Sequence, residues 1–165
     1  MRVLGIDPGL RITGYGCVET RERQDQITLI EAGVFKLIHG SDKRPVIDRL
    51  LELDADLSSL LDRVNPDVVA VESLFAHYKH PTTAITMGHA RGVILLAIRK
   101  AQIPLVELKP TEVKKSLLGF GHASKSQMQA GVQAALSLAE LPTPADMADA
   151  IAIAMCAAHR QGCVV

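Results

Sequence analysis

Four consecutive apolar residues, Val68-Val69-Ala70-Val71, constrain this chain more than any other segment. A β-branched run without polar alternation reads as a strand buried on both faces, the condition of a central parallel strand. Parallel pairing needs a crossover connection, usually a helix, and one stands immediately upstream. From Pro45 to about Val64, the residues Val46, Ile47, Leu50, Leu51, Leu57, Leu60, Leu61 and Val64 recur at spacings of three and four, with Pro45 suited to the first turn. Asn65-Pro66-Asp67 ends that helix, and the apolar run itself ends on a carboxylate, Glu72.

The remaining elements fall around this unit. Arg2–Asp7 is a short apolar strand stopped by the turn pair Pro8-Gly9, and Ile12–Val18 reads as its hairpin partner. Gln26–Ile38 alternates apolar and polar residues as a third strand, broken near Gly33. Thr82–Ala101 is a second long helix and Pro104–Leu108 a fifth strand. A short helix opens at Lys109-Pro110-Thr111 and runs to about Leu118; further helices cover Ser124–Ala139 and Ala145 to about Arg160. This order implies an α/β fold with a mixed five-stranded sheet flanked by helices on both faces. The 165 residues fit one domain, 1–165, and the 48% apolar content supplies a core. Aromatics are 3%, so aliphatic side chains and alanine must fill it. No apolar run reaches the roughly 18–20 residues of a membrane span. Cys17, Cys156 and Cys163 are too few and too scattered for a disulfide framework. The expectation is a cytoplasmic protein with reduced thiols.

Net charge is zero, with 18 basic and 18 acidic side chains, which taken alone argues against a nucleic-acid partner. The distribution reverses that impression. Residues 1–75 carry 9 basic and 13 acidic side chains, net −4. Residues 76–125 carry 8 basic and 2 acidic, net +6, together with His77, His80, His89 and His122. Residues 126–165 carry 1 basic and 3 acidic, net −2. A basic centre lies between acidic ends.

Four acids stand out by position. Asp7 and Glu72 each end an apolar strand; if those strands are parallel neighbours, both carboxylates leave the same edge of the sheet. Asp146 and Asp149 are three residues apart near the start of an otherwise apolar helix and share a face. Clustered carboxylates repel one another and resist desolvation, so they require a cation. Oxygen-only ligands select hard ions, Mg²⁺ or Mn²⁺. Three or four carboxylates can hold two such ions, the arrangement used for in-line phosphodiester hydrolysis. Each acid also has an ordinary explanation, as a turn former at Asp7, a helix cap at Glu72, or a helix N-terminal acid at Asp146 and Asp149.

Several segments, taken together, resemble one family. Gly5-Ile6-Asp7-Pro8-Gly9 through Thr13-Gly14-Tyr15-Gly16 is followed by Val71-Glu72-Ser73-Leu74-Phe75, then Gly88-His89-Ala90-Arg91-Gly92. After these come Val113-Lys114-Lys115, Gly121-His122-Ala123-Ser124-Lys125 and Asp146-Met147-Ala148-Asp149-Ala150. Their order and spacing resemble the RuvC-type Holliday-junction resolvases over nearly the whole chain. The resemblance implies a ribonuclease-H-like fold and a homodimeric, Mg²⁺-dependent endonuclease with two ions per site, Mn²⁺ substituting. Such an enzyme nicks two opposed strands of a four-way DNA junction in recombination and repair, leaving 5′-phosphate and 3′-hydroxyl ends, and works with a RuvA–RuvB branch-migration complex. By motif position, Asp7, Glu72, Asp146 and Asp149 resemble the family's catalytic metal-binding acids. Phe75 falls where the family has an aromatic that contacts bases, and Lys114 and Lys125 where it has lysines near phosphates. Ala76-His77-Tyr78-Lys79-His80 departs from the family's commoner polar stretch.

Elementary chemistry supports the same assignments. An aromatic in a loop beside a phosphate site can stack on an unpaired base, worth roughly 1–3 kcal/mol. Lys114, Lys115 and Lys125 can meet backbone phosphates. Arg91 is a candidate contact to DNA or to a partner subunit, and His122 a candidate proton donor. Gly88, Ala90, Gly92 and Ala97 permit close helix approach, at a dimer seam or in internal packing. Rival readings are weaker. An actin-like ATP-binding fold needs a second duplicated domain, and Gly119-Phe120-Gly121-His122 is no P-loop. An RNA-directed nuclease of the same fold need not share the Glu72–Phe75 and lysine features, and a non-catalytic junction binder would have lost an acid. Zinc at Cys156, His159 and Cys163 lacks a fourth ligand.

Overall fold

The computed structural model describes residues 1–21, 24–38, 44–73 and 81–162. Five strands form one sheet: β1 (Arg2–Asp7), β2 (Ile12–Arg21), β3 (Gln24–Lys36), β4 (Val68–Glu72) and β5 (Leu105–Leu108), in the order β3-β2-β1-β4-β5. β1 pairs antiparallel with β2, and β2 with β3, whereas β1–β4 and β4–β5 are parallel. The continuous apolar run therefore sits between two parallel neighbours, and Val69, Ala70 and Val71 are fully buried. The third strand is not broken at Gly33. It runs through, with Gly33 opposite Tyr15, and the register shifts lie instead at Cys17/Val18 and Thr20/Arg21. Gly33 is the place where the Tyr15 side chain crosses the sheet: a Cβ there would come within 2.6 Å of the Tyr15 hydroxyl.

Helices α1 (Val46–Val64) and α2 (Pro81–Lys100) cover one face. Their buried stripes, Leu53, Leu57, Leu60 and Leu61 on α1 and Ala90, Ile94 and Ile98 on α2, pack with Leu4, Ile6, Val69 and Val71. On the other face lies α5 (Ala145–Gly162), covered in turn by α3 (Pro110–Leu118) and α4 (Lys125–Leu136). Residues 150–158 of α5 are all buried, because the helix is enclosed by the sheet on one side and two helices on the other. Val3 and Ala70 face α5 while Leu4, Ile6, Val69 and Val71 face α1 and α2, the period-2 alternation of a strand.

What lets α5 lie so close to the sheet is glycine. Gly5 and Gly16 are direct cross-strand partners, and Gly14 is opposite Asp7. A Cβ on Gly5 would collide with the Ala150 carbonyl of α5, and one on Gly14 with the Asp146 carbonyl; at Gly16 it would come within 2.7 Å of the Ile151 side chain. Glycine in a strand interior costs roughly 0.5–1 kcal/mol relative to alanine. Forcing extra atoms into a packed contact costs about 1–3 kcal/mol, so the close approach dominates.

Gly5→Ala should therefore lower unfolding free energy by about 1–3 kcal/mol in denaturant titrations. Gly121→Ala is the control: its Cβ would have no atom nearer than 3.7 Å and should change stability by less than about 1 kcal/mol.

Candidate active site

Strand geometry delivers the first two acids. The last paired residues of β1 and β4 are Ile6 and Val71, so Asp7 and Glu72 follow side by side at the carboxyl edge. Alternation puts Asp7 with Val3 and Gly5, and Glu72 with Ala70, on the face that α5 covers. Beyond Asp7 the turn is fixed by Thr13, fully buried, whose hydroxyl donates to the Gly9 carbonyl at 2.5 Å and accepts from the Gly9 N–H at 3.3 Å. The last two acids arrive on α5. Asp146 rests its main chain on Gly14, beside Asp7, and Asp149 follows in the same stretch of helix.

Asp7, Glu72 and Asp149 each feel neighbouring carboxylates. Burial, reinforced by Glu72, Asp149 and Asp146 and opposed by Lys125, holds the Asp7 carboxyl well above the usual carboxylate range. Burial and Asp149 raise Glu72, with Lys114 opposing. Burial raises Asp149 too, where Lys125 opposes, Asp146 adds to the rise and Lys114 opposes. A cleft with room for about 150 Å³ opens among Glu72, Asp149, Lys114 and Lys125.

Both lysines are placed by helix starts. Pro110 occupies the first turn of α3 and the Glu112 carboxylate accepts from the Lys109 N–H at 2.9 Å, which fixes the helix that carries Lys114. Ser124 caps α4 in a capping box with Gln127, which leaves Lys125 as the first helical residue. A cation there is on the unfavourable end of the helix dipole; its compensation is the acid cluster opposite.

The donor chemistry suits a hard divalent cation, since every converging group is a carboxylate oxygen. As the side chains stand, no three His, Cys, Asp or Glu residues among those described form a ready-made metal cage. The acids converge without being closed around an ion.

The other expected site residues fall elsewhere. Lys115 is exposed and lines a separate, open cleft with Ser116, Cys156 and Arg160. His122 is exposed in the loop between α3 and α4. Arg91 points inward rather than out towards DNA or a partner: its guanidinium donates to the Glu72 carbonyl at 2.5 Å and bonds the Glu107 carboxylate. Phe75 and the 76–80 stretch lie outside the described residues, as does Cys163. Cys156 is buried, and burial pushes its thiol up, the behaviour of a core residue. Sequence reasoning passed over Gly5 and Gly16 as contact surfaces; the available signal was their pairing with an alanine-rich helix.

Residues 3–157 match the family described as crossover junction endodeoxyribonuclease RuvC. This chain belongs to the RuvC family. A RuvC of Rhodopirellula baltica is 48% identical over 154 residues, covering 93% of this chain and 84% of that protein. The structure of Thermus thermophilus RuvC superposes with a TM-score of 0.84 at 35% identity, covering 98% of this chain and 97% of that one. The same protein in complex with a Holliday junction substrate gives a TM-score of 0.87 at 34% identity, covering 98% and 95%. The mixed five-stranded sheet with helices on both faces is thus the ribonuclease-H-like fold of RuvC.

The raised acids of this RuvC chain have a stability consequence. A carboxyl whose folded pKa is raised binds its proton more tightly in the native state, so stability is lost as pH climbs from the ordinary carboxylate range through the raised value. In divalent-free buffer, Asp7→Asn should therefore melt higher than the wild type at pH 8. Its advantage should shrink as the pH is lowered towards 4.

Proposed function

We propose that this chain is a divalent-metal-dependent endodeoxyribonuclease that resolves four-way (Holliday) DNA junctions by paired symmetric nicks, with residues 1–165 as one nuclease domain. Membership of the RuvC family carries the junction-cleaving activity. The observation that carries the chemistry is the cleft that Glu72 and Asp149 line with Lys114 and Lys125, next to Asp7, whose carboxyl feels Glu72, Asp149 and Asp146. Asp7, Glu72, Asp146 and Asp149 would hold Mg²⁺, or Mn²⁺ in its place, as two ions per site. Bound there, the cations supply activation of water and neutralisation of charge at the phosphate, yielding 5′-phosphate and 3′-hydroxyl ends.

The chain's own groups do the rest. The carboxylates of Asp7, Glu72 and Asp149, raised when empty, are ionised and acceptor-only when they ligate. Lys114 and Lys125 draw the scissile backbone into the cleft and partly offset the acids. Phe75, three residues beyond Glu72, stacks on a base at the opened centre of the junction; Lys115 meets a phosphate farther from the acids. The +6 balance of residues 76–125 supplies the electrostatic footprint that total charge conceals.

A junction has approximate two-fold symmetry, and paired cuts need two sites related by the same operator. The exposed face of α2 supports a homodimer. Ile85 is 61% and Leu96 53% exposed, and between them Gly88 and Gly92 have nothing within 4 Å of an added Cβ. An added Cβ at either glycine would touch no described neighbour, which favours close approach of a second α2 over internal packing. The further partner is a RuvA–RuvB branch-migration complex. No described helix is long and apolar enough to cross a membrane, and the free buried thiols of Cys17 and Cys156 suit the cytoplasm.

The test compares a four-way junction, a duplex and an RNA–DNA hybrid, with Mg²⁺ and with chelator. Symmetric cutting of the junction alone, only with the metal, is the expected result; cutting of the hybrid alone would overturn the assignment. Asp7→Asn should lose at least the 10²–10³-fold that one transition-state electrostatic contact supplies, while still binding the junction. In sedimentation, Ile85→Glu combined with Leu96→Glu should convert the dimer to monomers, and the paired nicks should become uncoupled.

A further inference from the structure

We infer that Arg91 is a positioning residue for the Glu72 carboxylate, acting through the main chain at the end of β4. The inference rests on the assignment of Glu72 to the metal-binding site. Its basis is the way this strand end is held. On the β1 side, the last pair is Ile6 with Val71, so Glu72 stands one residue beyond the last pair. On the β5 side, the Ser73 N–H and hydroxyl both donate to the Leu108 carbonyl, at 2.8 and 3.1 Å. The Glu72 carbonyl is taken from outside the sheet, by one guanidinium nitrogen of Arg91 at 2.5 Å, and the other terminal nitrogen bonds the Glu107 carboxylate of β5.

Three features make this a brace and not a surface contact. The Arg91 side chain is only 11% exposed, although Glu107 is half exposed. Arg91 lies between Ala90 and Ile94, both fully buried in the core beneath α2, so the helix that carries it is fixed against the sheet. A planar guanidinium presents two donors in a rigid fork, which lets one side chain span the β4 carbonyl and the β5 carboxylate; a lysine ammonium lacks that geometry. The charge of Arg91 is met by Glu107, and the cation that offsets the Glu72 carboxylate is Lys114. What Arg91 contributes to Glu72 is therefore place. Loss of an outer contact that orients a metal ligand typically costs 10–100-fold in metal affinity or activity.

The experiment compares wild type, Arg91→Ala, Arg91→Lys and Glu107→Ala by four measurements. These are thermal melting, junction affinity in chelator across a salt series, single-turnover cleavage at saturating protein, and Mn²⁺ binding without DNA by calorimetry. Arg91→Ala should bind Mn²⁺ and cleave about 10–100-fold more weakly, with junction affinity and its salt slope unchanged. Arg91→Lys and Glu107→Ala should show smaller losses in the same direction. A fall in junction affinity with a salt slope reduced by about 1, at unchanged single-turnover rate and Mn²⁺ affinity, would make Arg91 a DNA contact and overturn the inference. A lower melting temperature with rate and Mn²⁺ affinity per folded molecule unchanged would do the same. Should Arg91→Ala fail to fold, wild-type Mn²⁺ affinity and rate in both remaining variants would be decisive against it. If wild type itself leaves the junction uncut, the assigned function fails, whereas an Mn²⁺ defect in the Arg91 variants would still support the brace.

Discussion

The close seating of α5 on the sheet is the contact on which the site depends. Gly5, Gly14 and Gly16 leave no Cβ between β1/β2 and the helix, and the main chain of α5 at Asp146 and Ala150 occupies that space. Side chains at those three positions would lift the helix and draw Asp146 and Asp149 away from Asp7. The alanine-rich surface of α5 serves the same end: Ala148, Ala150, Ala154 and Ala157 are fully buried, small enough for close contact on the sheet side and towards α3 and α4. Strand propensity is given up at three positions so that two acids on a helix can meet two acids on a sheet.

That meeting works against folding. Asp7, Glu72 and Asp149 are all held above the usual carboxylate range by burial and by neighbouring carboxylates. The chain carries this repulsion where Lys114 and Lys125 only partly relieve it. Natural proteins tolerate such local conflict where function demands it. It also explains why a net charge of zero misleads. The acids that cancel the lysines in the total include those facing Lys114 and Lys125 across the cleft, so the sum hides a charge separation that a phosphodiester and hard cations can use.

Much of this was legible in the sequence because it lay in periodicity. The run Val68–Val71 reads as a doubly covered parallel strand after a helical crossover, and its pairing with β1, which the sequence left as a condition, brings Asp7 and Glu72 to one edge. The spacing of Asp146 and Asp149 likewise stated a shared face. Features that depend on contacts between distant segments were less accessible. Gly33 looked like a strand break but lies beneath the Tyr15 side chain within an unbroken β3. Lys114 and Lys115 are neighbours in sequence, yet a helix turns them into different clefts. Arg91 looked like a surface cation because its acceptors, the Glu72 carbonyl and the Glu107 carboxylate, are 19 and 16 residues away. Gly88 and Gly92 allowed two explanations from sequence, and the open space beside both leaves internal packing without a described neighbour to act on.

Crystals of the chain grown with Mn²⁺ and read at the manganese absorption edge would test the convergence of the four acids most directly. The expected result is anomalous density between the Asp7–Glu72 strand ends and the Asp146–Asp149 face of α5, with carboxylate oxygens at ligand distance. Manganese bound only elsewhere, or an empty acid cluster in a preparation that cuts junctions, would contradict it.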